Sequence, residues 1–332
     1  MITYLKNPRL KHPQLLAAWP GMGYVASQIV SYLIEVLGAE RFAYVHAEDY
    51  FAPNSIEVDA GLARVPNLPE TNFYFWKNVY SGGDLILLSG DAQPDVSHQA
   101  RMAAEAIGLA RRMGVYRIIT FAAAPSPIQH RETPGFWGVA NSPELRDHLR
   151  QAGMRLLKTG QISGLNGLLL GAAARENLPG MCLLGEVPYY TINFENPRTS
   201  RTLLQVLTKF LNLPFGAGGF EEAIVRFDQE VAEMGKKAQE TMASLMPMDD
   251  EDFEEMDEGE EGLAYSDDEE WDEDEPVPGE VIARIEELFK QVERDLALAA
   301  HLKAELDHWG IYEEYEDRFL DLFRPGGEPR DN

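Results

Sequence analysis

Short apolar runs alternate with longer amphipathic stretches along roughly the first 212 residues. Leu15–Trp19 predicts a buried strand and Met22–Leu37 an amphipathic helix; Phe42–His46, Phe73–Trp76 and Asp84–Ser89 predict further strands. Helices are expected over Gln93–Met113, Pro143–Ala152, Leu165–Glu176 and Pro197–Leu211, with strands at Arg117–Ala122 and Met181–Leu184. Short strands alternating with longer helices imply crossover connections and a mostly parallel sheet. Residues 42–77 hold several extended pieces with no helix between them, so an antiparallel portion is expected there.

Beyond Asn212-Leu-Pro-Phe-Gly-Ala-Gly-Gly219 the period changes. Phe220, Ile224, Phe227, Val231, Met234, Ala238, Met242 and Leu245 step by three or four and mark one long amphipathic helix. Val281, Ile285, Leu288, Val292, Leu296, Ala299, Leu302 and Leu306 draw a second stripe of the same kind. The chain thus divides into an α/β core over 1–214, a long helix over 215–246, an acidic linker over 247–278 and C-terminal helices over 279–323. Each stripe needs cover, from the parent domain or from a neighbouring subunit.

Charge sharpens this division. Among 332 residues, 55 are acidic and 29 are Lys or Arg, a net charge of −26. The stretch from Asp249 to Glu275 holds 18 acidic residues and no basic one, leaving −8 for the rest. Like charges with few apolar neighbours cannot fold alone, so a flexible linker is expected. A calcium loop would need glycine at its sixth position; counted from Asp250 that position is Glu255. Neither nucleic acid nor an anionic membrane is an expected partner, because neutralising phosphates takes clustered Lys and Arg. No apolar run reaches the ~18 residues of a membrane helix, no signal peptide is evident at Met1, and a cytoplasmic location is expected.

Candidate chemistry gathers at predicted strand ends. Trp19-Pro-Gly-Met-Gly-Tyr-Val-Ala26 follows a strand, opens a helix and spells G-x-G-x-x-A, a permitted dinucleotide fingerprint. Glu48 and Asp49 stand where a ribose-binding acid would be sought. A tight strand-to-helix turn needs glycine for its backbone alone, so Gly21 and Gly23 read first as a turn, then as an anion or ligand contact, and last as a dinucleotide site. Asp91 closes the Leu85–Leu88 run, as a ligand contact or as a cap of the next helix. Ser163-Gly-Leu-Asn-Gly167 offers a capping serine, close backbone approach and the two-sided amide of Asn166. Glu186 ends the Met181–Gly185 strand, as a crevice acid or a surface one. Gly21, Gly23, Asp91, Asn166 and Glu186 are therefore the candidate ligand contacts.

No P-loop, nucleophile elbow or zinc-protease motif is present, and no set of catalytic residues can be named. The seven histidines (His12, His46, His98, His130, His148, His301 and His308) share no metal-ligand spacing, so no metal and no cofactor are expected. His130 sits in a Pro-rich loop. Cys182, the single cysteine, lies in an apolar run and reads as a buried thiol.

Several ordered blocks carry a resemblance. Ala18-Trp-Pro-Gly-Met-Gly-Tyr-Val-Ala26, Tyr32–Glu40, Ala47-Glu-Asp-Tyr-Phe51, Gly82–Gly90, Ser163–Gly171 and Met181–Glu186 resemble the proteasome assembly chaperone 2 family over residues 12–212. The resemblance implies a three-layer α/β sandwich related in architecture to nucleoside phosphorylases, and homo-oligomers among prokaryotic members. Eukaryotic members help assemble proteasome rings, while many prokaryotic ones carry a loose ATP-grasp label without an established reaction. Some engage proteasome rings through a tail ending hydrophobic-Tyr-any; Glu328–Asn332 lacks it, so docking by that route is not expected. Self-association, a protein client and a non-enzymatic assembly role are the expectations, with a nucleotide- or nucleoside-binding enzyme as the alternative.

Overall fold

The computed structural model describes residues 1–53, 55–80, 82–213, 215–245, 279–294, 298–309 and 311–323. The acidic linker expected over 247–278 lies outside the described residues. The chain forms two compact units, Met1–Val231 and Ala232–Asn332.

The first unit is built on an eight-stranded sheet. In chain order its strands are β1 (Ile2–Tyr4), β2 (Gln14–Ala18), β3 (Glu40–Val45), β6 (Thr71–Trp76), β7 (Leu85–Gly90), β8 (Arg117–Ser126), β9 (Phe136–Ala140) and β10 (Gly180–Pro188). A separate hairpin pairs β4 (Glu57–Asp59) with β5 (Leu62–Arg64). The spatial order is β1-β3-β6-β7-β2-β8-β10-β9. The four central strands β7, β2, β8 and β10 run parallel, and every pairing outside them is antiparallel. The sheet is therefore mixed around a parallel centre. The expected antiparallel portion is present between residues 40 and 76. The flanking strands β1 and β9 are short additions that the apolar pattern did not mark.

Helices α1 (Val25–Val36), α2 (Val96–Arg112), α3 (Pro143–Gln151), α4 (Gly164–Arg175) and α5 (Pro197–Leu211) cover the sheet. Strand alternation decides which face each one meets. Leu16, Leu87, Ile119 and Leu183 pack with Ile29 and Leu33 of α1, Leu149 of α3 and Leu203 and Leu207 of α5. Leu15, Ala17, Ile86 and Ile118 point the other way, against Met102 and Ala106 of α2 and Leu165 and Leu169 of α4. Helix, sheet and helix thus make three layers. Strand β2 is buried along its whole length, as expected where both faces are covered.

Local chemistry sets the helix ends. Ser142 accepts from the Leu145 amide at 3.2 Å, with Pro143 in the first turn of α3. Gly38, at φ 58°, lets the chain leave α1 while its amide bonds the Glu35 carbonyl. Helix α6 (Glu221–Leu245) starts inside this unit, where Phe220 and Ile224 join the α1/α5 core.

The second unit contains α7 (Gly279–Arg294), α8 (Ala299–His308) and α9 (Tyr312–Asp321). The stripe expected as one helix from Val281 to Leu306 is divided between α7 and α8, with Leu296 outside the described residues. Val281, Ile285, Leu288 and Val292 are buried on α7, and Ala299, Leu302 and Leu306 on α8. An Arg284–Glu305 ion pair joins the two helices. Phe289 stacks on Tyr315 of α9 at 5.7 Å, and Arg318 pairs with Glu286 at 2.7 Å.

Candidate functional site

The carboxyl ends of the parallel strands bring the Gly21–Gly23 turn and Asn166 together, and the turn after β2 organises them. Gly23 has φ 64°, and a Cβ there would stand 3.1 Å from both Asn196 and Val187. Its amide donates to the Ile192 carbonyl and its carbonyl accepts from the Asn196 amide, each at 2.7 Å. Gly23 is therefore the residue the turn needs. Gly21 is not: its φ of −155° is extended backbone open to any residue. Tyr24 follows with φ 51°, an uncommon conformation for a bulky side chain, and remains 41% exposed.

Asn166, 6% exposed, spends its amide on the backbone of Trp19. Its Oδ1 accepts from the Trp19 amide at 3.1 Å and its Nδ2 donates to the Trp19 carbonyl at 3.2 Å. Gln93 completes the clamp by donating to the Pro20 carbonyl at 2.6 Å and accepting from the Leu165 amide at 2.9 Å. The expected cap of α4 by Ser163 does not form; the Gln93 side chain reaches that first turn instead. Gly167 permits the approach, since a Cβ there would lie 1.9 Å from the Ile162 carbonyl oxygen.

Glu186 lies within β10, two residues before its end, and not at the strand terminus. Its carboxylate accepts from the Gly135 amide at 2.6 Å and from Ser126 Oγ at 3.2 Å. Asp91 caps no helix: its carboxylate accepts from the Glu70 amide at 2.9 Å, and its own amide donates to the Glu70 carbonyl. Gly21 and Asn166 are neighbours, whereas Asp91 and Glu186 each serve a separate loop. Asn166 gives both its amide atoms to backbone, and one carboxylate oxygen each of Asp91 and Glu186 accepts from a backbone amide.

A second cluster surrounds His130. Its amide donates to the Tyr190 hydroxyl at 2.8 Å, its ring lies edge-on to Tyr190 and Phe227, and its carbonyl accepts from Arg198 Nε at 2.8 Å. Arg198 also holds both Asp228 oxygens, at 3.0 and 2.9 Å. Burial depresses the basicity of His130, with the Asp228 charge opposing it, and burial raises the Tyr190 hydroxyl. The cluster ties the start of α6 to the loop after β8. The loop position of His130 was the only part of it the sequence signalled.

Three aromatic side chains stay open to solvent on the joined turns: Tyr24 at 41%, Tyr190 at 36% and Phe194 at 38%. Away from them, the antiparallel end of the sheet holds a cleft of about 690 Å³, lined by Glu48 among others. Cys182 is fully buried and its thiol is pushed up to about 12 by burial. Among the described residues no group of three or more His, Cys, Asp or Glu could hold a metal, and no helix is long and apolar enough to cross a membrane.

Comparison with known proteins places this architecture. The chain is 24% identical over 252 residues to an uncharacterized protein of Methanocaldococcus jannaschii, covering 74% of this chain and 92% of that one. Its fold is similar to Pyrococcus furiosus PbaB, described as an archaeal proteasome activator, with a TM-score of 0.62 and 20% identity over 71% of this chain and 98% of that one. It is also similar to P. furiosus PbaA, described as an archaeal homolog of proteasome-assembly chaperone (TM-score 0.56, 21% identity, 74% and 95% coverage). A Mycobacterium tuberculosis proteasome-assembly chaperone homologue shares the fold at TM-score 0.55 and 18% identity, covering 67% of this chain and 93% of that one. The PAC2 family model matches residues 15–235, a span that takes in the Gly23 turn, the Asn166 clamp, Glu186 and the start of α6, and the chain therefore belongs to the PAC2 family.

Proposed function

We propose that this protein acts as a non-enzymatic, self-associating assembly factor, chaperone-like toward a protein client. One observation carries the reading. Asn166, Glu186 and Asp91 bond the backbone of their own fold, at 2.6 to 3.2 Å, while aromatic side chains on the neighbouring turns face outward. Exposed aromatics held on a constrained turn suit protein contact, since large rigid side chains dominate binding energy at interfaces. Family membership and the proteasome-related neighbours support a proteasome subunit as the client. No ATP-grasp role is adopted, because the Gly21–Gly23 turn is explained by its ties to Ile192 and Asn196.

The test mixes the purified chain with proteasome α and β subunits and follows ring assembly by native mass spectrometry. Faster assembly that falls at least 5-fold in a Tyr24→Ser, Phe194→Ser double variant supports the reading. A nucleotide or nucleoside that stabilises the chain by about 2.7 kcal/mol at 100 times its dissociation constant would favour the enzyme alternative. Self-association is read by light scattering across a concentration series, with a constant monomer mass as the contrary result.

A further inference from the structure

The cleft of about 690 Å³ at the antiparallel end of the sheet brings two side chains with unmatched polar atoms to one place beside an unpaired ribbon. Tyr44, Phe51, Val65 and Leu68 give it apolar walls, and Arg41 and Asn72 bring polar groups to it. Tyr44 and Asn72 are direct partners across β3 and β6, and the Arg41 guanidinium lies 5.1 Å over the Tyr44 ring. Asn72 is 8% exposed and gives its Nδ2 to Glu70 at 2.8 Å, but its Oδ1 meets no hydrogen-bonding partner among the described residues. Arg41 Nε is likewise shut off from water and unmatched. Native structures leave few such atoms, and here one donor and one acceptor sit on two side chains lining one cleft.

The adjoining hairpin is also incomplete. Among the described residues strands β4 and β5 pair only with each other, and all six of their residues are exposed. Ile56 at 62%, Val58 at 70%, Leu62 at 64% and Val65 at 75% carry apolar surface on or beside it. A lone two-stranded ribbon is marginal in water, and free strand edges recruit a further strand. The chain entering the hairpin and the chain leaving it both line the cleft.

We infer that the hairpin and cleft form one docking site for an extended segment of a partner protein, added as a strand to the ribbon with an apolar side chain in the cleft. Once the two side chains rotate into the cleft, a peptide unit supplies the carbonyl that Arg41 Nε lacks and the N–H that Asn72 Oδ1 lacks. Arg41, 38% exposed on a flexible stem, can turn toward the incoming carbonyl. Glu48 on the cleft and Glu57 on β4 favour basic residues between the apolar ones, while Glu70 and Asp59 are paired with Arg41 at 3.6 Å and Arg64 at 2.9 Å. Main-chain pairing with alternate side chains in pockets is the known logic of strand addition. The inference rests on the assembly reading above and gives the chemistry of the client.

The experiment uses the full chain at 0.3 M salt with fluorescein-labelled, end-blocked nonapeptides carrying Val or Leu at alternate positions and Lys or Thr between. A control of equal charge has Pro at two of the intervening positions. Anisotropy should show the alternating peptide binding at least 10-fold more tightly than the control. Val58→Lys and Asn72→Ala should each weaken it at least 5-fold; Val58 is exposed, so that variant keeps its fold if Asn72→Ala does not. Equal binding of both peptides, or binding unchanged in Val58→Lys, overturns the inference. So does a drop in particle mass in Val58→Lys by light scattering, which would make a second copy the occupant. Peptide failure with proteasome assembly intact removes this inference alone, whereas loss of both removes the assembly reading as well.

Discussion

The two ends of the first unit solve the same problem differently. At the parallel centre β2, β7, β8 and β10 lie between helices on both faces, and β2 is buried throughout. At the antiparallel end β4 and β5 stand fully exposed beside an open cleft. Burial on both faces removes freedom from every side chain, so even polar residues there become structural, as Asn166 does. Where cover is missing, backbone edges and apolar side chains remain free to recruit another chain. Polar chemistry in the sequence pointed to the first end, and an unpaired ribbon beside a cleft marks the second.

The comparison breaks most readily at Asn166. Asn166→Ala removes two hydrogen bonds and strands the amide and carbonyl of Trp19 in a buried place, for an expected loss of about 3 kcal/mol from orphaned groups. Urea denaturation checks this. A loss below about 1 kcal/mol would mean that water replaces the amide and that the centre is less constrained than its geometry states.

Next comes the link between α6 and the loop after β8. Arg198 and Asp228 are 16% and 23% exposed, and truncating either to Ala should cost about 2 kcal/mol, the range of a charge-assisted pair. The two single variants and the double variant form a cycle in which the double costs little more than either single. Additive losses would show that the two side chains act independently.

The glycines of the β2 turn sharpen the contrast within a single motif. Gly23→Ala should cost about 1–2 kcal/mol for a left-handed backbone, whereas Gly21→Ala should stay within about 0.5 kcal/mol. Equal costs would return the pair to a ligand-binding reading. At the open end, Val58→Lys should leave stability within about 0.5 kcal/mol, as surface changes do.

The smallest effect concerns pH. Burial holds His130 below its ordinary basicity in the folded state, so the unfolded chain binds the extra proton first. Its contribution is present above the unfolded value of about 6.5 and is lost as pH falls below it. The stability difference between the wild type and His130→Gln should therefore shrink from pH 7.5 to pH 5. A difference independent of pH would show that the ring titrates as it does in water.

Much of the architecture was legible without coordinates. Apolar runs mark β2, β7, β8 and β10 because strands covered on both faces have nowhere to place polar residues. Spaced apolar positions mark α1, α2 and α5 because one stripe of each must meet the sheet. The short strands β1 and β9 escaped notice because three to five half-buried residues carry too little pattern. The division of the second stripe between α7 and α8 escaped too, since apolar period alone does not record where one helix ends and another begins.

Function was less legible, for a reason of distance along the chain. The sequence determined that the β2 turn needs a glycine, that Cys182 is buried and that the chain carries a PAC2-type α/β unit, read over residues 12–212 and matched by the family model over 15–235. Only the tertiary structure decided that Asn166 serves Trp19, 147 positions away, and that Glu186 serves Gly135, 51 positions away. It alone decided that Arg41 and Asn72 would share a cleft with a donor and an acceptor unmet. A local pattern encodes which side chains must leave water. Which polar group then satisfies which depends on elements that meet only when the sheet is assembled.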